Sequence, residues 1–203
     1  MTRSDRLKRL AVPLVAFTLG LVVLGVAAVL TLAPSRGPAA SAVGGPFTLV
    51  DQDGRTVSER DFAGKPFLVF FGFTRCPDIC PTKLFELSEV LRATGDKGRR
   101  LRALFITVDP ERDTPDHLKH YMPLFHPRLI GLTGDAAAIE AAVRAYRVYF
   151  EKVERANSAD YTVDHSGFIY LIGRNGEYLG FFPPGTSAER LADAIRPSVT
   201  RRP

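Results

Sequence analysis

Cys76 and Cys80 are the two cysteines of this chain, and they stand in Phe73-Thr74-Arg75-Cys76-Pro77-Asp78-Ile79-Cys80-Pro81, directly after the apolar run Phe67 to Phe71. Thiols four apart at a strand-to-helix turn can grip a soft metal or exchange electrons, because the thiolate is both the ligand and the nucleophile. The unpaired amides of a helix N-terminus favour that thiolate. A permanent disulfide is the third use, natural in an exported domain. It would close a loop of only about five residues, which removes little unfolded-state entropy, so stability alone is a poor reason for it.

A metal needs further donors, and His165 in Val163-Asp164-His165-Ser166 offers an imidazole just before the strand-like run Phe168 to Ile172. Dithiol oxidoreductases of the thioredoxin type use C-x-x-C. One extra residue puts the sulfurs on successive helical turns, about 5 to 6 Å apart at Cβ, a spacing that suits chelation. Two thiolates and an imidazole match copper: Cu(I) tolerates low coordination with soft sulfur, and Cu(II) accepts the nitrogen and a fourth ligand. Zinc fits the same donors nearly as well. A lone histidine before a strand is also often a hydrogen-bonded interior residue, so the residues alone leave both readings open. Asp164 should point to the opposite face of an extended backbone and is not counted as a ligand. His117 and His120, three apart on a helix, form an auxiliary candidate that fits a solvated face better; His126 and Met122 are weaker still. No glycine-rich phosphate loop, serine triad or paired-carboxylate arrangement competes.

The elements that must position these residues are legible in outline. Phe47 to Val50 and Thr56 to Val57 flank Asp53-Gly54, a hairpin signal. Phe67 to Phe71 is apolar throughout, as a strand buried on both faces should be. Apolar residues at 84, 87, 90 and 91 then mark a helix, so the cysteines bridge strand end and helix start. Leu101 to Val108 reads as a second buried strand running into Asp109-Pro110, followed by a helix from about Thr114 to Met122. Asp135 caps Ala136 to Tyr146, Val148 to Val153 extends as a strand, and Gly173-Arg174-Asn175-Gly176 joins Phe168–Ile172 to Glu177–Phe182 in a hairpin. Ser187 caps a last helix, Ala188 to about Ile195. The order predicts a central mixed sheet, its first strands parallel and its last pair antiparallel, with helices on both faces: an α/β sandwich like thioredoxin. Chemistry in such sheets collects beyond the carboxyl ends of the strands, where Cys76 and Asp109 both fall.

The N-terminus is of another kind. Residues 10–33 carry no charge, and 24 helical residues span about 36 Å, enough to cross a hydrocarbon core of about 30 Å. Arg3, Arg6, Lys8 and Arg9 precede the stretch and only Arg36 follows closely, which leaves the first nine residues cytoplasmic and exports the rest to the periplasm or cell exterior. A cleavable signal peptide would have a shorter apolar region, of about 7 to 15 residues. Residues 34–45, rich in Pro, Gly, Ala and Ser, read as a flexible linker to a domain over 46–203. Of the formal net charge of +5, +3 belongs to the first 33 residues. The remainder is too evenly charged for a nucleic-acid partner.

With these residues in view, the chain resembles the Sco/SenC family. The family's pattern stands as Gly72-Phe73-Thr74-Arg75-Cys76-Pro77-Asp78-Ile79-Cys80-Pro81, Val108-Asp109-Pro110-Glu111-Arg112-Asp113-Thr114-Pro115, Leu132-Thr133-Gly134, Tyr146-Arg147-Val148-Tyr149 and Tyr161-Thr162-Val163-Asp164-His165-Ser166. The resemblance covers about residues 45–196, plus the anchor. It implies a membrane-tethered, thioredoxin-like domain that binds copper through Cys76, Cys80 and His165, with Asp109 in a supporting role. It further implies a metallochaperone rather than an enzyme, one that helps metallate the copper-A subunit of cytochrome c oxidase and depends on a periplasmic reductant or copper donor. A thiol-disulfide oxidoreductase, reducing the cysteines of the copper-A apoprotein through Cys76 and Cys80, or a redox sensor, uses the same thiols. Arg75 stands where many relatives carry another polar or aromatic residue, a departure that leaves the ligands untouched.

Overall fold

The computed structural model describes residues 17–22, 24–25, 43–95, 98–154 and 160–200. The chain divides into two units, residues 1–39 and 40–203. In the first, residues 17–22 and 24–25 are helical. Among the described residues no helix is long and apolar enough to cross a membrane. Most of the stretch expected to do so, residues 10–33, lies outside them.

The second unit is built on a seven-stranded sheet in the order β2-β1-β5-β4-β3-β8-β9. Its centre is β4 (Arg102–Thr107), flanked in parallel by β3 (Phe67–Gly72) on one side and β5 (Leu129–Thr133) on the other. All six residues of β3 are buried, which explains its unbroken apolar sequence. The hairpin of β1 (Thr48–Asp51) and β2 (Thr56–Ser58) adds antiparallel to β5, and the hairpin of β8 (Ile169–Ile172) and β9 (Tyr178–Phe182) adds antiparallel to β3. The parallel strands are therefore the middle three, not the first in the chain. A separate two-stranded sheet pairs β6 (Phe150–Glu154) with β7 (Tyr161–His165).

Successive residues of a strand point to opposite faces, and the aromatic contacts of β3 show what covers each. Phe70 stacks beside Phe105, which in turn meets Tyr121 of α2 (Pro115–Tyr121); Phe71 meets Tyr146 of α3 (Ala136–Tyr146). Helices thus cover both faces. The connection after β3 enters α1 (Ile79–Ala93), which packs with α4 (Ala188–Thr200). The caps follow the sequence: Thr114 accepts from the His117 N–H at 3.2 Å, and Asp135 from the Ala138 N–H at 2.7 Å.

Two elements are absent from the sequence reading. β5 is five residues long, enclosed by Pro127 and Gly134 and broken by Gly131, so it gives little periodic signal. Gly131 is required all the same, because a Cβ there would lie 2.7 Å from Met122 Cγ. β7 mixes Tyr, Thr, Val, Asp and His, and its burial is confined to Val163.

Candidate metal centre

β3 delivers the cysteines. After Gly72 the chain turns through Phe73 to Asp78, and α1 begins at Ile79. Cys80 therefore lies in the first helical turn, but Cys76 precedes the helix and the two sulfurs do not occupy successive helical turns. Pro77 is the reason, since it disfavours helical backbone at the residue before it. Pro81 is tolerated in the first turn, where amide donors have no intrahelical partner. The sulfurs still face one another: the Cys80 N–H donates to Cys76 Sγ at 3.4 Å. Cys80 is buried and Cys76 half-buried, and both are free thiols.

Cys80 owes its place to a residue without a side chain. A Cβ on Gly72 would sit 2.9 Å from Cys80 Sγ, 3.0 Å from Phe105 and 3.1 Å from Phe70, so only glycine leaves room for the sulfur against the sheet. The third donor comes from the end of β7. His165 Nε2 lies 3.3 Å from Cys80 Sγ, and its ring meets Phe70 and Phe73 edge-on. Its Nδ1 is 3.2 Å from the Ser166 carbonyl oxygen. A carbonyl only accepts, so Nδ1 carries a proton, and Nε2 is the ring nitrogen turned toward the sulfurs. The ligand atoms of Cys76, Cys80 and His165 all lie within 4.8 Å of one another. Asp164 is exposed, as the alternation of an extended strand requires.

The two thiols differ sharply. The Cys80 S–H hydrogen bond, assisted by the N–H groups of Cys80, Asp78 and Ile79, brings the Cys76 pKa down to about 5 against the opposing effect of burial. Cys80, donating to that sulfur and buried beneath the loop, is pushed far up. In the reduced protein one proton is thus shared between two sulfurs, and a soft cation is the natural replacement for it. The site opens through Cys76 and His165 onto a cavity of about 440 Å3 whose walls include Phe73, Ile79, Val163 and Pro184.

Asp109 stands outside this group of donors. It is fully buried and accepts from the Arg112 guanidinium and, at 2.6 Å, from the Tyr161 hydroxyl. Nor are the remaining histidines gathered. His117 Nε2 bonds Thr74 Oγ1 at 2.8 Å, His120 Nδ1 faces the Asp116 carbonyl at 2.7 Å, and His126 Nδ1 accepts from the Arg128 N–H at 3.1 Å. Met122 is buried under Gly131. Arg75 is exposed.

What sequence reasoning missed is the scaffold behind the loop. Asp113 is fully buried and accepts from the Thr74 N–H at 3.0 Å, the Thr74 hydroxyl at 2.6 Å and the Thr107 hydroxyl at 2.7 Å. Burial outweighs these donors and raises its pKa. The spacing Asp109-x-x-x-Asp113 was on view in the sequence, but which of the two carboxylates braces the cysteine loop was not.

The comparisons agree with this geometry. The family model described as SCO1/SenC matches residues 35–200. The chain belongs to the SCO1/SenC family. It is 45% identical over 159 residues to the mitochondrial SCO2 homolog of Bos taurus, covering 77% of this chain and 60% of that protein. It is 40% identical over 168 residues to the mitochondrial SCO1 homolog 1 of Arabidopsis thaliana, covering 81% and 50%. The chain thus spans little more than half the length of these curated relatives. Among solved structures, Bradyrhizobium japonicum ScoI with copper bound is 48% identical, with a TM-score of 0.72 over 77% of this chain and 99% of that one. The thioredoxin-like fold with its mixed central sheet is therefore the family's.

Proposed function

We propose that this SCO1/SenC protein binds copper on Cys76 Sγ, Cys80 Sγ and His165 Nε2 and serves the assembly of cytochrome c oxidase, passing the ion to the copper-A subunit by ligand exchange. The observation that carries this reading is the convergence of two sulfurs and one imidazole nitrogen within 4.8 Å, from segments 85 residues apart in the chain. The donor set is soft enough for Cu(I) and offers Cu(II) a nitrogen. Half-exposure of Cys76 and His165 beside the 440 Å3 cavity leaves an approach for an incoming thiolate or imidazole of the acceptor.

Cargo and redox state are coupled, because a Cys76–Cys80 disulfide has no thiolate left to chelate, so a reductant outside the cytoplasm has to maintain the pair. One observation favours a second reading. A half-exposed thiolate with a pKa of about 5 beside a buried protonated thiol is the arrangement of a dithiol reductant. In that chemistry Cys76 attacks a disulfide of the apoprotein, the mixed disulfide forms, and Cys80 then attacks Cys76 to release a reduced partner. His165→Ala separates the two: it should lower copper affinity and change the copper(II) absorption and paramagnetic-resonance spectra while dithiol exchange persists. Unchanged copper binding in that variant sinks the three-ligand assignment.

We place the domain on the exported side of the cytoplasmic membrane, tethered by residues 10–33. Support comes from the uncharged run with its basic flank, and from Phe17, Leu19, Leu21, Val22 and Leu24, apolar side chains on helical residues that are 53% to 68% exposed. Release of the full chain into the soluble fraction by alkaline washing would remove the anchor from this picture.

A further inference from the structure

The cysteines follow a strand of the seven-stranded sheet and the histidine ends a strand of the two-stranded one, so their separation has to be set by something other than a shared hydrogen-bond ladder. One five-residue stretch, Asp109 to Asp113 at the end of β4, touches both. At its far end Asp113 holds Thr74, two residues before Cys76, by its N–H and its hydroxyl. Beside it Arg112, together with Asp109 at the near end, holds Tyr161, the first residue of the strand that ends at His165.

The second hold has several parts. The Arg112 guanidinium lies 3.7 Å from the centre of the Tyr161 ring, donates to the Tyr161 carbonyl at 2.9 Å and to Asp160 at 2.8 Å, and pairs through Nε with Asp109. Asp109 in turn accepts from the Tyr161 hydroxyl. Next to it Glu111 accepts from Lys152 of β6 at 2.7 Å. The Arg112 side chain is 12% exposed and that of Asp109 0%, so these charge-assisted bonds are little weakened by water. The guanidinium also reaches the Phe73 ring at 5.9 Å, and Phe73 packs against His165.

We infer that Arg112, stacked on Tyr161 and paired with Asp109, is a positioning residue for the metal site: it locks the β6–β7 hairpin to the cysteine loop and so fixes the gap between His165 Nε2 and the two sulfurs. The inference rests on the proposed three-ligand copper reading and adds to it the device that holds the third ligand in reach. Arg112 touches no ligand atom. Its effect passes through Tyr161 and the strand. With the latch removed, the two thiolates still bind copper, and His165 leaves and returns more freely.

The test uses the full chain loaded with one copper, with His165→Ala as reference. Arg112→Gln and Tyr161→Leu should keep one copper per chain, shift the copper(II) paramagnetic-resonance spectrum toward that of His165→Ala, and release Cu(I) to a competing chelator about tenfold faster or more, the usual size of an outer-shell effect. Arg112→Lys, which keeps the charge but not the fork, should restore part of the parent spectrum. If Arg112→Gln leaves Asp109 unpaired and unfolds the protein, Tyr161→Phe decides instead: it keeps the ring under the guanidinium, loses only the hydroxyl's bonds to Asp109 and Glu111, and should show a smaller shift in the same direction. A reference that departs from the parent while the folded latch variants keep the parent spectrum and release rate overturns the latch and leaves the copper reading standing. A reference indistinguishable from the parent removes His165 as a ligand, and the latch with it.

Discussion

β3 leads into the loop and helix that carry Cys76 and Cys80, and β7 ends at His165, but the two strands stand on different ground. Every residue of β3 is buried, it is hydrogen-bonded on both sides to β4 and β8, and the backbone leaving it is held by Asp113. Among the described residues β7 is paired only with β6, four of whose five residues are exposed, and it buries Val163 alone. Cys80 is therefore part of the core, Cys76 rests half-buried against it, and His165 is carried on an appendage. For the copper transfer proposed above the difference is useful: the cysteines would keep the cargo while the histidine yields its place to an acceptor. Local opening should begin where buried apolar contact is least, at the hairpin.

Paired truncations test this contrast most strongly. Leu104 is fully buried in β4, one residue from Phe105 and hence on the face away from Cys80. Leu104→Ala should cost about 2–5 kcal/mol in urea unfolding. The folded fraction should keep the parent copper spectrum. Val163→Ala should cost about 1–2 kcal/mol, because less is buried around it, and yet disturb the spectrum and speed copper release. If the core variant perturbs the copper site as much as the hairpin variant does, the division of labour between the two strands is wrong.

The thiols sharpen the same contrast within one loop. Lowering an acid's pKa lets its anion persist to lower pH, so in the reduced metal-free protein Cys76 should remain a thiolate from neutrality down to about pH 5. An ordinary cysteine is half-ionised near 8.5. Cys80, shifted the other way by its bond to Cys76 and by burial, should contribute a second step only at alkaline pH. Ultraviolet thiolate absorbance followed across pH, with Cys76→Ser and Cys80→Ser as assignments, should show two well-separated steps in the parent. A single step near 8.5 would mean that the sulfurs do not share a proton.

The unequal footing of the two strands also explains what could be read in advance. β3, β4, α1 and α3 announce themselves because their packing is periodic and apolar. The cysteines follow at once because they sit where a buried strand meets a helix. β7 carries no such pattern: Tyr161 is there to stack on Arg112, Val163 to reach the core, and His165 to face sulfur, three separate demands on five residues. Its histidine is a candidate donor from residue type and position alone, and only the family resemblance favours ligand over interior histidine. Gly72 and Asp113 were invisible for another reason. One acts by lacking a side chain and the other by hydrogen bonds to Thr74 and Thr107, partners that the spacing Asp109-x-x-x-Asp113 does not name.

The smallest predicted effect concerns His117, whose position on the cysteine side of the domain invites a role it is poorly placed to fill. Thr74 has one hydroxyl proton and gives it to Asp113 at 2.6 Å, so it can only accept at 2.8 Å from His117 Nε2. A nitrogen that is donating a proton has no lone pair for a metal. His117→Ala should therefore leave copper at one per chain with the parent spectrum, and cost about 0.5–1.5 kcal/mol for one exposed hydrogen bond. Thr74→Val takes away the hydroxyl that Asp113 receives, though not the Thr74 N–H, and should cost more and loosen the cysteine loop. Were His117→Ala to lower the copper count while Thr74→Val did not, the polar chain behind Cys76 would be a second metal site and not a brace.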